Sequence, residues 1–180
     1  QIHFQHLSTA RSVAMVRDAV AAGLRVTAEV TPHHFTLTHA ECASYDPVFK
    51  VNPPLRTAED VAAVRAGLAD GTVAAIATDH APHTPETKEL PFDQAPPGML
   101  GLETALAVAL TELDLPLAQV LAALSWNPAR ILGIEGDHGA VAEGRPANLC
   151  VIDPELAWTV SGAAMASRSH STRSAIAMPS

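Results

Sequence analysis

Short apolar runs alternate along the first third of the chain with segments whose apolar residues recur every three or four positions. The runs at residues 2–5 and 24–30 have the length and the flanking turn residues of buried strands. The segment between them is predicted to be a helix that is capped by Ser8 or Thr9 and ends at Gly23. Its buried stripe is predicted to be Val13, Val16 and Val20, at i, i+3 and i+7.

A second strand–helix unit follows a long intervening segment. Thr57 and Asp60 resemble a capping box in which Asp stands in place of Glu. The helix after them is predicted to end at Gly71, and residues 71–77 form an apolar run typical of a buried parallel strand. Strand–helix–strand repeats of this length pair in parallel through right-handed crossovers, so the predicted fold class is α/β. The buried stripe of this helix is predicted to be Val61, Val64 and Leu68.

The rest of the chain is predicted to contain a long loop, three helices and a small β element. Residues 84–98 are rich in Pro and charge, which favours a functional lid over a packed segment. One helix is predicted over residues 101–113, followed by two shorter, separate helices, the last with Pro128 in its first turn. Turn residues then surround a β run at residues 149–152, which is expected to lie in a separate small β element.

Composition narrows the classes of protein that fit. The 180 residues are 48% hydrophobic and 17% charged, so the chain can bury a core. A formal net charge of −8 and a pI near 5.5 argue against nucleic acid or an anionic membrane as a partner. No apolar run reaches the length of a membrane span. Cys42 and Cys150 form no CxxC pair, which favours a reducing, cytoplasmic location and excludes a cysteine-rich zinc site.

Asp79, His80 and His83 directly follow the strand predicted at residues 71–77. The carboxyl edge of a parallel sheet is where α/β folds place their chemistry, and Pro82 stiffens the exit from the strand. A carboxylate flanked by imidazoles suits a metal such as zinc, and Asp79 could also transfer protons. These residues alone leave open the alternative that Asp79 caps the next turn and the histidines lie at the surface.

Seven of the nine histidines lie between residues 3 and 83, which directs the search for a site to the first half. His3 and His6 are expected on opposite faces of their strand, and His6, at the strand end, is the better candidate for a ligand. His33 and His34 follow the second strand, where a structural role is expected. Glu29 lies inside that strand and needs a cation or donors, so it is either part of a metal site or salt-bridged.

Residues 50–56 are made rigid by two adjacent prolines. Asn52, held at a rigid mouth, suits a substrate that carries amides or carboxylates. The alternative for this segment is a solvated turn, and its residues do not decide between the two.

Five stretches taken together resemble the bacterial multifunctional-type dihydroorotases, a class of the amidohydrolase superfamily. The resemblance runs from residue 1 to about residue 168, with the stretches in the same order and spacing. Hydantoinases and allantoinases are similar overall, but tend to carry Cys-Pro-His-Tyr and Ser-Asp-His where this chain has Thr-Pro-His-His (31–34) and Thr-Asp-His (78–80). The chain follows the dihydroorotase pattern at both places. The five stretches are residues 3–10, 26–34, 50–56, 77–83 and 97–104.

The resemblance implies the later part of a distorted (β/α)8 TIM barrel over residues 1–136 and part of a small β domain over residues 137–180. It also implies the reversible, zinc-dependent cyclisation of N-carbamoyl-L-aspartate to L-dihydroorotate in pyrimidine biosynthesis, with two Zn²⁺ ions per complete active site. His6 would bind the second zinc. Asp79 would bind the first, act as general base towards the bridging hydroxide, and return the proton to the amide nitrogen. The substrate would be held by Asn52, His83 and the backbone around Pro97 and Gly98.

Some ligands of the implied site are not in this chain. The family's His-x-His motif, its bridging carboxylate and another zinc-binding His belong upstream of Gln1. The chain is therefore expected to be part of a longer protein, in line with its start inside a predicted strand, and to be inactive by itself. Glu29 is left out of the ligand set, because the Cys that accompanies it at an additional metal site in some relatives is Gln5 here.

Other interpretations stay open beside the dihydroorotase one. One is a hydantoinase or allantoinase type of cyclic amidohydrolase, and another is a non-catalytic dihydroorotase-like subunit that scaffolds aspartate transcarbamoylase. The expected partner is a small-molecule substrate, and a homodimer or an association with aspartate transcarbamoylase is possible. After about residue 168 the sequence departs from the family pattern, and no role is assigned to His170 or Arg173.

Overall fold

The computed structural model describes residues 1–167, and three short parallel strands form its centre. The strands lie in the order β1-β2-β3, so β2 is flanked on both sides, and the predicted α/β class and parallel pairing are confirmed. One helix connects β1 to β2, and two lie between β2 and β3. The bounds are β1 (Ile2–Phe4), α1 (Ala10–Ala21), β2 (Val26–Val30), α2 (Pro32–Thr36), α3 (Ala58–Ala69) and β3 (Ala75–Ile76).

Both long helices begin at capping boxes. Thr9 caps α1: its side chain accepts from the Ser12 amide, and its own amide donates back to the Ser12 hydroxyl. Thr57 and Asp60 form the predicted box at the start of α3. Asp60 Oδ1 also accepts the Ala10 N–H at 2.8 Å, and this bond is the main reason that the pKa of Asp60 is lowered. The starts of α1 and α3 are therefore tied together.

Gly67 lets α1, α3 and the segment before β3 approach closely. A Cβ at this position would lie 2.9 Å from Val73 Cγ2 and 3.0 Å from Val13 Cγ1, closer than packed side chains tolerate. The predicted stripe of α3 is buried, and so are Val13 and Val16 on α1. Val20 is 49% exposed, so its predicted burial is wrong. Packing covers only the first two turns of α1, and Val20 lies in the last one.

Residues 84–98 are anchored to the rest of the chain at a few buried positions, and their role as a lid stays a prediction. The short helix α4 (Pro85–Lys88) lies inside this segment. Lys88 and Ala95 are only 8% and 1% exposed, and a bridge between His80 and Met99 closes the segment at its base. The burial of Lys88 could not be foreseen from composition, because it depends on which backbone carbonyls surround the side chain.

The last helices are shorter and more continuous than predicted. Helix α5 (Ala105–Glu112) is the core of the first one. Helices α6 (Leu117–Leu121) and α7 (Asn127–Leu132) are joined by a π-helical turn at Ala122–Trp126, so they do not stand as separate helices. The wider turn accommodates Pro128, which has no N–H for the helix ladder and crowds the carbonyl four residues earlier.

The segment after α7 contains no strand within residues 133–167. The β run predicted at 149–152 is irregular and exposed, with Val151 fully accessible. That prediction is wrong for this chain, because a strand needs a neighbouring strand and no described segment pairs with this one. Over residues 1–167, no helix is both long and apolar enough to cross a membrane. His170 and Arg173 lie outside the described residues.

Candidate active site

His6 and Asp79 meet at the carboxyl ends of β1 and β3. Both have left-handed backbone conformations, with φ of 55° and 46°, which are uncommon for residues other than glycine. These turns direct the two side chains towards each other, and His6 Nε2 lies 3.8 Å from Asp79 Oδ1. Strained backbone at a strand end is a feature that often marks a functional site. The structure thus brings together the two residues predicted as metal ligands.

Glu29 joins His6 to His3 from the central strand. Its Oε2 lies 3.0 Å from His3 Nε2, and its Oε1 lies 3.1 Å from His6 Nδ1. Thr27 Oγ1 lies 2.8 Å from the other ring nitrogen of His3. His3 pairs in register with Thr27, and Thr27 and Glu29 share one face of β2, so these three side chains are neighbours. These contacts fit both interpretations left open for Glu29, a salt bridge and a place in a metal site.

The expectation that His3 and His6 lie on opposite faces is wrong. Alternation holds only within a strand, and β1 ends at Phe4, two residues before His6. The left-handed turn at His6 then rotates its imidazole back to the face of His3 and Glu29. No sequence signal announces this turn, because His6 is not a glycine and no glycine precedes it.

The contact with Glu29 orients the His6 imidazole but does not give it a hydrogen bond. His6 Nδ1 and Glu29 Oε1 are both buried, and their alignment does not amount to a hydrogen bond. The carboxylate nevertheless lies within ion-pair distance of Nδ1, so Nε2 is left facing Asp79. A carboxylate behind an imidazole is the usual support of a metal-binding histidine.

The donors at this edge fit one part of a metal site. An imidazole nitrogen and a carboxylate oxygen are donors that zinc accepts, and His6 Nε2 and Asp79 Oδ1 lie 3.8 Å apart. Within residues 1–167, however, no group of three or more His, Cys, Asp and Glu side chains is arranged to hold a metal ion. The chain therefore offers a pair of ligands, and a tightly held ion would need more donors than this part of the protein places there.

His33 and His34 have structural surroundings on α2. Both are 2% exposed, and His34 is held between the Thr31 hydroxyl at Nδ1 and the Pro53 carbonyl at Nε2. Burial, reinforced by His34 and His6, lowers the pKa of His33 to about 3, and burial also lowers the pKa of His34. Both rings are thus neutral near pH 7. Their packing agrees with the structural role expected for this pair.

Acid is expected to destabilise the chain through His33. Its pKa is lower in the folded state than the unfolded value of 6.5, so between pH 6.5 and about 3 the unfolded state binds the extra proton. The free energy of unfolding should therefore fall as the pH drops below 6.5, by at most about 1.4 kcal/mol per pH unit for one group. Urea unfolding at pH 7 and pH 4.5 measures the difference. His33→Gln should reduce it, whereas His39→Gln, at an exposed imidazole, should not; equal pH dependence in all three chains would contradict this origin.

The residues expected to hold the substrate lie on chain segments that are hydrogen-bonded to one another. His83 Nε2 lies 2.9 Å from the Pro97 carbonyl, to which it donates, and the Gly98 N–H donates to the Lys50 carbonyl at 2.8 Å. Asn52 is exposed two residues further along that segment. The predicted substrate residues therefore form one wall made of three chain segments. The Gly98 amide is already paired within it.

His80 serves the fold and not the Asp79 site. Its Nδ1 accepts hydrogen bonds from the amides of Gly101 and Leu102, at 3.2 and 3.1 Å. The imidazole that does face Asp79 is that of His6, which follows strand β1. Sequence adjacency to Asp79 was thus a poor guide to which imidazole lies beside it.

The wall formed by Asn52, His83, Pro97 and Gly98 requires a glycine at position 98. Its φ is +151°, and a Cβ there would lie 2.5 Å from His83 Nε2 and 2.9 Å from Ala81 Cβ. Gly98→Ala is expected to lower the free energy of unfolding by about 2 kcal/mol or more, because backbone strain and overlap with His83 add. Gly71→Ala is the matched control, since Gly71 has φ +80° and open space around it, so only strain of about 1 kcal/mol applies. Denaturant unfolding compares the two, and equal losses would show that His83 does not contact residue 98 closely.

Comparison with known proteins identifies the fold and the protein family of this chain. The fold is shared with solved hydantoinases: the D-hydantoinase of Bacillus sp. AR9 matches with a TM-score of 0.86 and 24% identity, over 94% of this chain and 39% of that one. The L-hydantoinase of Arthrobacter aurescens matches with a TM-score of 0.82 and 28% identity, over 89% and 37%. The protein is thus of the hydantoinase-like α/β fold. Residues 1–175 match the amidohydrolase family, and the chain belongs to that family.

Curated relatives have higher sequence identity to this chain than these hydantoinases do. The dihydroorotase of Pelotomaculum thermopropionicum is 52% identical over 176 residues, and that of Mycobacterium leprae is 48% identical over 180 residues. Each match covers 96% of this chain and 41% of the relative. The chain therefore spans about two fifths of the length of the curated relatives it matches.

Proposed function

We propose that this chain forms the later part of the catalytic barrel of a dihydroorotase. The reaction is the reversible ring closure of N-carbamoyl-L-aspartate to L-dihydroorotate. The observation that carries the proposal is the convergence of His6 and Asp79, 3.8 Å apart, from strands that are not neighbours in the sheet. The names of relatives at 44–52% identity support dihydroorotase over hydantoinase, because the two hydantoinases described above are 24% and 28% identical.

His6 and Asp79 are proposed to hold zinc, with two ions in the complete site. Bound zinc would supply Lewis acidity that polarises the amide carbonyl. The remaining ligands would come from parts of the complete protein other than residues 1–167, where His6 and Asp79 are two donors without a third. Glu29 would keep the His6 ring in place from behind.

Asp79 is proposed to move the proton in both directions. Its carboxylate is 30% exposed beside His6, so one oxygen can take a proton from the attacking water in ring opening. The same oxygen then returns that proton to the leaving amide nitrogen. In ring closure the two transfers run in reverse.

The wall around Gly98 is proposed to hold the substrate. Asn52 carries N–H donors suited to the substrate carboxylates, and His83, oriented by its bond to the Pro97 carbonyl, would contact the substrate beside the Pro97–Gly98 backbone. The protein is acidic overall, so binding an anionic substrate requires such local donors together with the metal.

The division of the chain into a barrel part and a small β domain is also proposed, on the basis of the resemblance to dihydroorotases. Residues 1–136 would belong to a (β/α)8 barrel, and residues 137–180 to a small β domain. A homodimer or an association with aspartate transcarbamoylase stays a prediction, as does a cytoplasmic location.

The complete protein tests the function directly. It should hydrolyse L-dihydroorotate and cyclise N-carbamoyl-L-aspartate, lose both activities when zinc is chelated, and regain them when zinc is restored. Preferred turnover of hydantoin or allantoin would support the other cyclic amidohydrolases. A zinc-free protein without either activity would support the scaffolding subunit.

A further inference from the structure

Lys88 is a buried lysine whose ammonium binds backbone carbonyls. It lies at the end of α4 and is 8% exposed. Nζ lies 2.9 Å from the Pro47 carbonyl, 3.0 Å from the Pro96 carbonyl and 3.5 Å from the Lys50 carbonyl. Lysine is among the residues least often buried, so such an arrangement calls for a specific reason.

The three carbonyls belong to the two chain segments that carry the proposed substrate wall. Pro47 and Lys50 precede Asn52, and Pro96 directly precedes Pro97 and Gly98. The ammonium therefore bridges the segments on which the wall is built.

Further bonds cross between the same two segments. The Gly98 N–H donates to the Lys50 carbonyl at 2.8 Å. The Lys50 ammonium donates in the opposite direction, to the carbonyls of Phe92 and Asp93 at 2.7 and 3.0 Å. The two segments are thus held by several backbone-directed bonds, and Lys88 is the buried one among the two lysines involved.

We propose that Lys88 is a positioning residue for substrate binding: it fixes the distance between Asn52 and the Pro97–Gly98 backbone. This rests on the proposed function. The Pro47 and Lys50 carbonyls also accept backbone amides, those of Lys50 and Gly98, so the ammonium gives them a second bond and links them to the Pro96 carbonyl of the other segment. One ammonium has three N–H donors and reaches all three carbonyls at once, whereas a hydroxyl has one donor and a side-chain amide has two.

The charge of Lys88 is set by its neighbours. Burial and the nearby Lys50 lower its pKa to about 8, while Asp46 acts in the opposite direction. The ammonium is therefore still mainly protonated at pH 7, and its hydrogen bonds are the stronger, charge-assisted kind.

Lys88→Met tests this inference in the complete protein, because methionine has a similar length and no donor. We expect the KM for N-carbamoyl-L-aspartate to rise about tenfold with kcat within about twofold, and zinc content to stay the same. Amide hydrogen exchange should accelerate about tenfold in residues 47–52 and 92–98 and stay unchanged in α1 and α3. Glu89→Gln, at the exposed neighbouring position, is the matched control and should behave like the unmodified protein.

Lys88→Arg separates positioning from bulk stability, and carries the test if the Met variant does not fold. Arginine keeps the cation and its donors, so KM should stay within about threefold of the unmodified value. An unchanged KM and exchange pattern in Lys88→Met would overturn the inference, as would equal acceleration of exchange in α1 and α3. If the unmodified protein turns over neither substrate, the proposed function fails, while the exchange comparison still decides whether Lys88 joins the two segments.

Discussion

Asp79→Asn in the complete protein is expected to lower kcat/KM for L-dihydroorotate by about 10³-fold or more. The amide is nearly isosteric with the carboxylate but cannot accept and return a proton, and general acid–base transfer by a placed side chain contributes about 10²–10⁴-fold. Loss of the negative charge also weakens the proposed zinc ligand that lies 3.8 Å from His6. Steady-state kinetics in both directions, together with zinc content by mass spectrometry, measure the two effects separately.

Asp18→Asn is the control for this substitution. Asp18 lies on the exposed side of α1, so neutralising it changes net charge by the same amount without touching the site. Near-normal turnover by Asp79→Asn would remove Asp79 from catalysis. Loss of activity in both variants would point to the overall charge of the protein.

His6→Ala is expected to have the second largest effect, a loss of zinc together with activity. The substitution removes one ligand and leaves the buried Glu29 carboxylate with His3 as its remaining imidazole partner at this edge of the described sheet. We expect at least one zinc per complete site to be lost and kcat/KM to fall by about 10²-fold or more. Zinc titration, monitored by the recovery of activity, should show a weaker apparent affinity.

His39→Ala is the matched control for His6, because it deletes an exposed imidazole whose contact within residues 1–167 is with the Arg56 carbonyl. Full zinc occupancy in His6→Ala would assign that histidine to the structure alone. Restored activity at high zinc would instead agree with a ligand role, since mass action can compensate for a weakened site.

Much of the scaffold could be predicted from local patterns. The capping box at Thr57 and Asp60 and the position of Asp79 after a buried strand depend on contacts within a few residues, so the sequence carries them directly. Two of the failed predictions concern partners distant in sequence. Val20 is exposed because packing on α1 stops short of it, and the 149–152 run stays irregular because no described strand lies beside it.

The sequence by itself determined the α/β order and the chemical identity of the candidate groups, because helix periodicity, caps and strand ends are local properties of the chain. Only the tertiary structure decided which groups meet. The left-handed turn at His6 brings its imidazole to Glu29 and Asp79, and the burial of Lys88 joins two segments separated by some forty residues. Such contacts depend on where the backbone places a side chain in space, and spacing along the chain does not encode it.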